Sequence, residues 1–196
     1  MKSFENDDEI IRWSDSLDER WPERESIRKH VLEKLGSLCC RQARIVELCC
    51  GDGRLAREIL TAVPDADYVG VDGSRSLCEY VRRSLSVRTI EADLSKAGWS
   101  SSIEGPVDAV VSIQSLHDVG DGCVISQVYR ESLDLLSPDG VLLIADFAPD
   151  TFDPDRPGRL SSSWHAQQLQ DSGYTDVHRS LESGDISCFS ASKPSP

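Results

Sequence analysis

Residues 47–56 read Glu-Leu-Cys-Cys-Gly-Asp-Gly-Arg-Leu-Ala, and they continue an apolar run at 43–49. Leu55, Ala56, Ile59 and Leu60 follow at helical spacing, so the stretch reads as strand, tight turn, helix. Gly51 and Gly53 let the backbone turn sharply and approach a ligand without a Cβ in the way, and Ala56 lets the helix pack closely. Two glycines in a strand-to-helix turn are a weak signal alone. Their weight comes from what repeats around them.

Apolar strands are expected at 68–72, 87–91, 107–113 and 141–147, alternating with helices at 74–85, capped by Ser74, and at 124–136. Ser-Pro-Asp-Gly at 137–140 reads as a turn. A helix at 161–172 and two closing strands at 174–179 and 186–192 complete the chain. The nearly continuous apolar run at 107–113 suits the buried centre of a parallel sheet. Strands alternating with helices give an α/β, doubly wound sheet, which binds ligands at the carboxyl ends of its strands. Upstream, residues 1–20 read as acidic and patchy. From Trp21 a helix is expected, with Pro22 in its first turn, Ile27, Val31, Leu32 and Leu35 on one face and Gly36 as its stop.

The 196 residues carry 21 Lys plus Arg against 34 Asp plus Glu, a formal net charge of -13. That excess repels polyphosphate, so nucleic acid is an unlikely partner. No run approaches the ~18 apolar residues of a membrane span, and the first residues lack the pattern of a secretory signal, so the expectation is a cytoplasmic protein with no membrane contact. Seven cysteines, Cys39, Cys40, Cys49, Cys50, Cys78, Cys123 and Cys188, lack zinc-site spacing and are read as reduced thiols with no metal.

Three acids stand at successive strand ends: Glu47, Asp72 and Asp93. Asp72 lies about 20 residues beyond Gly51, the offset at which a carboxylate meets ribose hydroxyls. Asp52 sits inside the glycine turn and Glu47 just before it. Like charges about 4 Å apart repel by roughly 1 to 4 kcal/mol at effective dielectrics from 80 to 20, so this turn opposes a pyrophosphate and favours a cationic ligand.

Taken together, these segments resemble the class I S-adenosylmethionine-dependent methyltransferases over roughly residues 20–192. The stretch at 47–53 is similar to the family's acid-plus-glycine motif. Val-Gly-Val-Asp at 69–72 resembles the motif whose acid holds the ribose. Glu-Ala-Asp-Leu at 91–94 resembles the one whose acid receives the adenine amino group. Residues 108–117 resemble the fourth strand and its exit, and 136–142 the turn into the fifth. One departure stands out: Cys49 replaces the family's first turn glycine. The resemblance implies a Rossmann-like, mostly parallel seven-stranded sheet with an antiparallel C-terminal hairpin. It implies S-adenosyl-L-methionine held by Glu47, Cys49, Gly51, Gly53, Asp72, Gly73, Ser74, Asp93, Leu94 and Gln114. It also implies one methyltransferase domain at 41–196, with residues 1–40 as an acidic segment and helix that could cover the site, Trp13 and Trp21 among them.

Methyl transfer needs a base only when the acceptor must lose a proton. His117, just past the fourth strand with Asp118 beside it, is the candidate base; the bland alternative is a packing histidine. Gln114 and Ser115 share that rim, and the Asn/Asp-Pro-Pro-Tyr of amide- and adenine-methylating members is missing there. Arg156, Arg159, Trp164 and His165 are expected on a substrate-facing loop, where arginine suits a carboxylate. The expected activity is methyl transfer to oxygen or nitrogen of a small molecule. The competing readings are a non-catalytic S-adenosylmethionine-binding protein and a nicotinamide-dependent oxidoreductase; the latter lacks a Tyr-x-x-x-Lys pair, since Tyr80 is followed by Ser84 at that spacing. The acceptor and the oligomeric state are open.

Overall fold

The computed structural model describes residues 3–38, 42–149 and 153–195. Cys39 and Cys40 lie outside them. Seven strands form one mixed sheet in the order β3-β2-β1-β4-β5-β7-β6. The chain divides into two compact units, Met1–Asp93 and Leu94–Pro196.

The first unit begins with two helices, α1 (Asp7–Arg20) and α2 (Glu23–Leu38), and then alternates β1 (Arg44–Leu48), α3 (Arg54–Ala62), β2 (Asp67–Asp72), α4 (Arg75–Leu85) and β3 (Arg88–Glu91). β1 pairs with β2, and β2 with β3, all parallel. Ile45, Val46, Leu48 and Val71 are fully buried, the two-sided burial expected of central parallel strands. Each such side chain removed from water stabilises by about 1.5–3 kcal/mol. Gly70 is in β2 for a steric reason: a Cβ there would lie 2.9 Å from Cys50 Sγ.

Two expectations change in this unit. Residues 7–20 are a helix, where the sequence read as patchy. Asn6 caps it by accepting the Glu9 N–H at 3.0 Å, three acids occupy its first turn, and Ile10 and Ser14 are buried. The helix α2 does not stop at Gly36 but runs through it to Leu38.

The second unit contains β4 (Val107–Ile113), α5 (Gly122–Leu135), β5 (Leu136–Phe147), α6 (Ser162–Asp171), β6 (Thr175–Ser183) and β7 (Ile186–Ser192). β4 pairs with β5 in parallel, whereas β5–β7 and β7–β6 are antiparallel. The Ser-Pro-Asp-Gly turn is absorbed into β5 as an irregularity. Asp139 takes φ +61°, and the β4–β5 register shifts between Val107 and Ala109, so residues 137–140 bulge out before the ladder resumes at Val141. Trp164 and His165, expected on a loop, lie on α6. His165 is buried and shares a 2.7 Å hydrogen bond with the Tyr129 hydroxyl, which makes it part of the core.

A Cβ at Gly36 meets nothing within 4 Å. Gly36→Ala should therefore raise stability by about 0.5–1 kcal/mol in urea unfolding, the gain expected in a helix interior. A loss of stability would mean that the helix ends there.

Candidate functional site

In the first unit the glycine turn is held by one carboxylate. Asp72 ends β2 and accepts the Gly51 N–H on one oxygen at 3.0 Å and the Ser74 N–H on the other at 2.8 Å. Ser74 caps α4, and Gly53 stands at the N-cap of α3, so a single side chain ties two strand-to-helix turns together. Burial raises the Asp72 pKa, and the two backbone N–H groups offset part of that. Gly51 and Gly53 both have positive φ, +55° and +74°. A Cβ on Gly53 would come within 3.0 Å of Val81 on α4, so the close packing rests on this glycine as well as on Ala56.

Cys49 also takes φ +55°. It holds the left-handed geometry that a glycine would, at a cost of about 1–2 kcal/mol, so the substitution leaves the path of the turn unchanged. Gln114, just past β4 in the second unit, is a second non-glycine residue with positive φ, +50°. Strain of this kind gathers at ligand-binding positions.

The electrostatic expectation for Glu47 needs correcting. Glu47 lies inside β1, is 4% exposed and accepts a 2.7 Å hydrogen bond from the Tyr68 hydroxyl. Burial, with smaller contributions from Asp52 and Asp72, pushes its pKa up to about 8 despite the Tyr68 bond. At neutral pH it is mostly uncharged and does not repel a phosphate. Asp52 is balanced too: its carboxylate lies 3.7 Å from the Arg54 guanidinium, which also pairs with Asp18 at 2.6 Å and Asp15 at 2.7 Å on α1. One guanidinium shared by three carboxylates leaves the turn negative, with Asp72 and Asp52 as its nearest acids.

Trp13 on α1 lies over the turn. Its Cη2 is 3.6 Å from where a Gly51 Cβ would stand, and Phe4 packs against its indole with ring centroids 5.2 Å apart. Gly73 and Asp93 are half-buried, Asp93 just past the end of β3. Leu94, the first residue of the second unit, is buried.

The second unit holds a separate cluster after β4. His117 sits on a short 3-10 turn, Leu116–Asp118. Its Nδ1 donates to Asp146 Oδ1 at 2.6 Å, and its backbone N–H donates to Asp146 Oδ2 at 3.0 Å. Asp146 lies near the end of β5 and is 2% exposed. Burial opposes charge on both partners, yet the pair wins: the His117 pKa is raised above 6.5 by Asp146, and that of Asp146 is lowered by His117. With Nδ1 committed, Nε2 is left to exchange a proton, with Asp118 Oδ1 3.5 Å away. Phe147 packs edge to face against His117 with centroids 4.7 Å apart, and the Arg159 guanidinium stacks on the same ring at 3.8 Å.

Asp146, Tyr68 and Arg54 escaped the sequence reading. An acid closing the apolar run at 141–147 was the visible signal for Asp146. Nothing in the sequence announces the Tyr68–Glu47 bond, which depends on strand register.

Residues 45–140 match the family profile described as a methyltransferase domain. Together with the sheet order and the glycine turn, this match supports a class I S-adenosylmethionine-dependent methyltransferase. The family's cofactor is S-adenosyl-L-methionine. The three positive-φ residues of the turn and the buried Asp72 are compatible with it, because they supply a tight backbone cradle and an acceptor for hydroxyls. Among curated relatives of this chain, the malonyl-[acyl-carrier protein] O-methyltransferase of Legionella pneumophila is 27% identical over 158 residues, covering 78% of this chain and 52% of that protein. The chain thus spans about half of that relative's length. Among solved structures, the S-adenosylmethionine-dependent methyltransferase SibL aligns with TM-score 0.68 and 21% identity over 88% of this chain and 55% of SibL. The [4+2]-cyclase SpnF aligns with TM-score 0.64 and 14% identity, covering 85% of this chain and 80% of SpnF. These two likenesses establish the fold. No helix among the described residues is long and apolar enough to cross a membrane.

Because the native state keeps Glu47 protonated to about pH 8 while the unfolded chain ionises it near 4.5, the native state binds the extra proton between those values. Stability falls as pH rises through that window and levels off above it. Glu47→Gln keeps an acceptor for Tyr68 and removes this titration. Its urea unfolding free energy should fall less between pH 5 and pH 8 than that of the unaltered protein. An identical pH dependence would mean that Glu47 is ionised in the fold.

Proposed function

We propose that this methyltransferase transfers the methyl group of S-adenosylmethionine to an oxygen or nitrogen of a small molecule, with His117 as the base that takes the acceptor's proton. The observation that carries this reading is the His117–Asp146 pair: a buried carboxylate fixes one ring nitrogen and leaves the other facing away from it. When bound, the cofactor supplies an electrophilic methyl on a positively charged sulfur. The protein's share is alignment, exclusion of water and removal of one proton. Asp146 raises the basicity of the imidazole and holds its orientation, the role an acid plays behind a catalytic histidine. A hydroxyl or amine acceptor suits such a base. The name of the Legionella pneumophila relative supports oxygen as the acceptor atom.

On the cofactor side, the proposal assigns Asp72 to the ribose hydroxyls. It assigns Glu47, Cys49, Gly51, Gly53, Gly73, Ser74, Asp93, Leu94 and Gln114 to the remaining contacts or their support. Helix α1 acts as a cover for the turn. Trp13 lies on Gly51, and Asp15 and Asp18 clasp Arg54, so the helix is tied to the turn it covers. Cofactor binding should then change Trp13 fluorescence, and Trp13→Phe should lose most of the change. An unaltered signal in Trp13→Phe would remove α1 from the site.

The SpnF likeness favours a second reading, since that fold serves a cyclase as well. Labelled methyl from S-adenosylmethionine, offered with a metabolite extract, tests the first reading: transfer to a small molecule supports it, and only a cyclised product formed without label would support the second. The acceptor-proton role has its own test. Only neutral imidazole acts as a base, so the rate should fall as pH drops through a His117 pKa that lies above 6.5. Asp146→Asn should move that acid limb to lower pH, because the anionic partner that raises the pKa is gone. A limb unmoved by Asp146→Asn would assign the titration to another group.

A further inference from the structure

Phe147 carries two basic side chains, and only one of them is in a direct ion pair with a carboxylate. His117 is paired with Asp146. The Arg159 Cζ lies over the ring, 3.8 Å from its centroid, and the guanidinium makes no hydrogen bond or ion pair with the described residues, although the residue is half-buried. Burial opposes its charge, and nearby Arg156 adds to that opposition. Asp146, Asp118 and Asp185 favour its charge from a distance, yet no carboxylate makes a direct hydrogen bond or ion pair with the guanidinium. Stacking on an aromatic face holds the guanidinium plane and leaves its N–H edges open, the arrangement that suits a planar oxyanion held by two parallel hydrogen bonds.

The backbone also places Arg159 deliberately. Gly158 is buried, and a Cβ there would overlap the His117 carbonyl oxygen, so the segment before α6 is pressed onto the turn that carries His117. The Arg159 N–H bonds to the Arg156 carbonyl at 2.9 Å, which closes the bend. Arg156 itself is a surface residue 3.9 Å from Asp153. The two arginines therefore differ: Arg156 has a local acid and water, and Arg159 has an aromatic platform and the neighbourhood of His117.

We infer that Arg159 is a specificity-determining residue that grips a carboxylate of the acceptor, so that the substrates of this protein are small molecules carrying a carboxylate beside the group that His117 deprotonates. This rests on the acceptor-site reading of His117 above. The chemistry is recognition only. The carboxylate keeps its charge, accepts two N–H bonds from the guanidinium, and is not the proton donor to His117.

The test uses the whole protein, saturated with S-adenosylhomocysteine, with acetate as the probe and acetamide as its uncharged counterpart at constant ionic strength. The Arg159 side-chain N–H resonance should shift saturably with acetate and hardly at all with acetamide, while that of Arg156 stays still. Arg159→Gln should weaken acetate binding, followed at the His117 ring resonances, at least tenfold and erase the preference for acetate over acetamide. Gly158→Ala should weaken acetate binding while α-helical content is retained, since it displaces the arginine without removing it. Equal shifts at Arg156 and Arg159, no saturable shift at Arg159, or an unchanged preference in Arg159→Gln would overturn the assignment. Failure of the cofactor reading has a different signature: S-adenosylhomocysteine would give no binding heat in the same sample.

Discussion

The glycine turn keeps its shape because a buried carboxylate accepts two backbone N–H groups from different segments. Asp72 receives Gly51 from the first strand-to-helix turn and Ser74 from the second. Each bond to a charged acceptor contributes about 1.5–3 kcal/mol, and leaving either N–H buried and unpaired costs a comparable amount. The positive φ values at Cys49, Gly51 and Gly53 persist because this carboxylate and the packing of α3 against α4 fix the backbone around them. The same oxygens keep acceptor capacity for a hydroxyl, so the group that organises the turn is also the one proposed to receive a ribose hydroxyl.

Charge around that turn is managed by position more than by composition. The chain carries a net charge of -13, yet Glu47 is neutralised by burial and Asp52 lies 3.7 Å from the Arg54 guanidinium. Arg54 in turn joins Asp15 and Asp18, linking the turn to α1. In the second unit the logic is reversed: Asp146 is kept ionised in a buried place by the histidine beside it. Glu47 is surrounded by other acids and Asp146 is reached by a histidine, and that difference makes one a structural hydrogen-bond partner and the other the anchor of a candidate base.

Much of the frame was legible because strand and helix periods leave a direct trace. The apolar runs at 68–72 and 107–113 became β2 and β4, Ser74 became a cap, and the antiparallel end of the sheet followed from the family resemblance. Helix α1 was missed because its acidic first turn hid the cap-and-spacing signal of Asn6, Glu9 and Ile10. Gly36 misled because a glycine's freedom suits a helix end, whereas here α2 continues through it to Leu38. The candidate site was legible in its residue types and not in its protonation. Register sets Tyr68 beside Glu47, and the fold sets Asp146 beneath His117; both pairings join residues far apart in the chain, where local spacing says nothing.

The most direct measurement of the central claim is a calorimetric titration of the intact chain with S-adenosylhomocysteine and, separately, with NADH, repeated on Asp72→Asn. The account predicts saturable heat with the first ligand, none with the second, and an affinity at least about tenfold weaker once Asp72 loses its charge, the scale of one hydrogen bond to a charged group. Saturable heat with NADH alone, or an affinity for S-adenosylhomocysteine indifferent to Asp72, would contradict it.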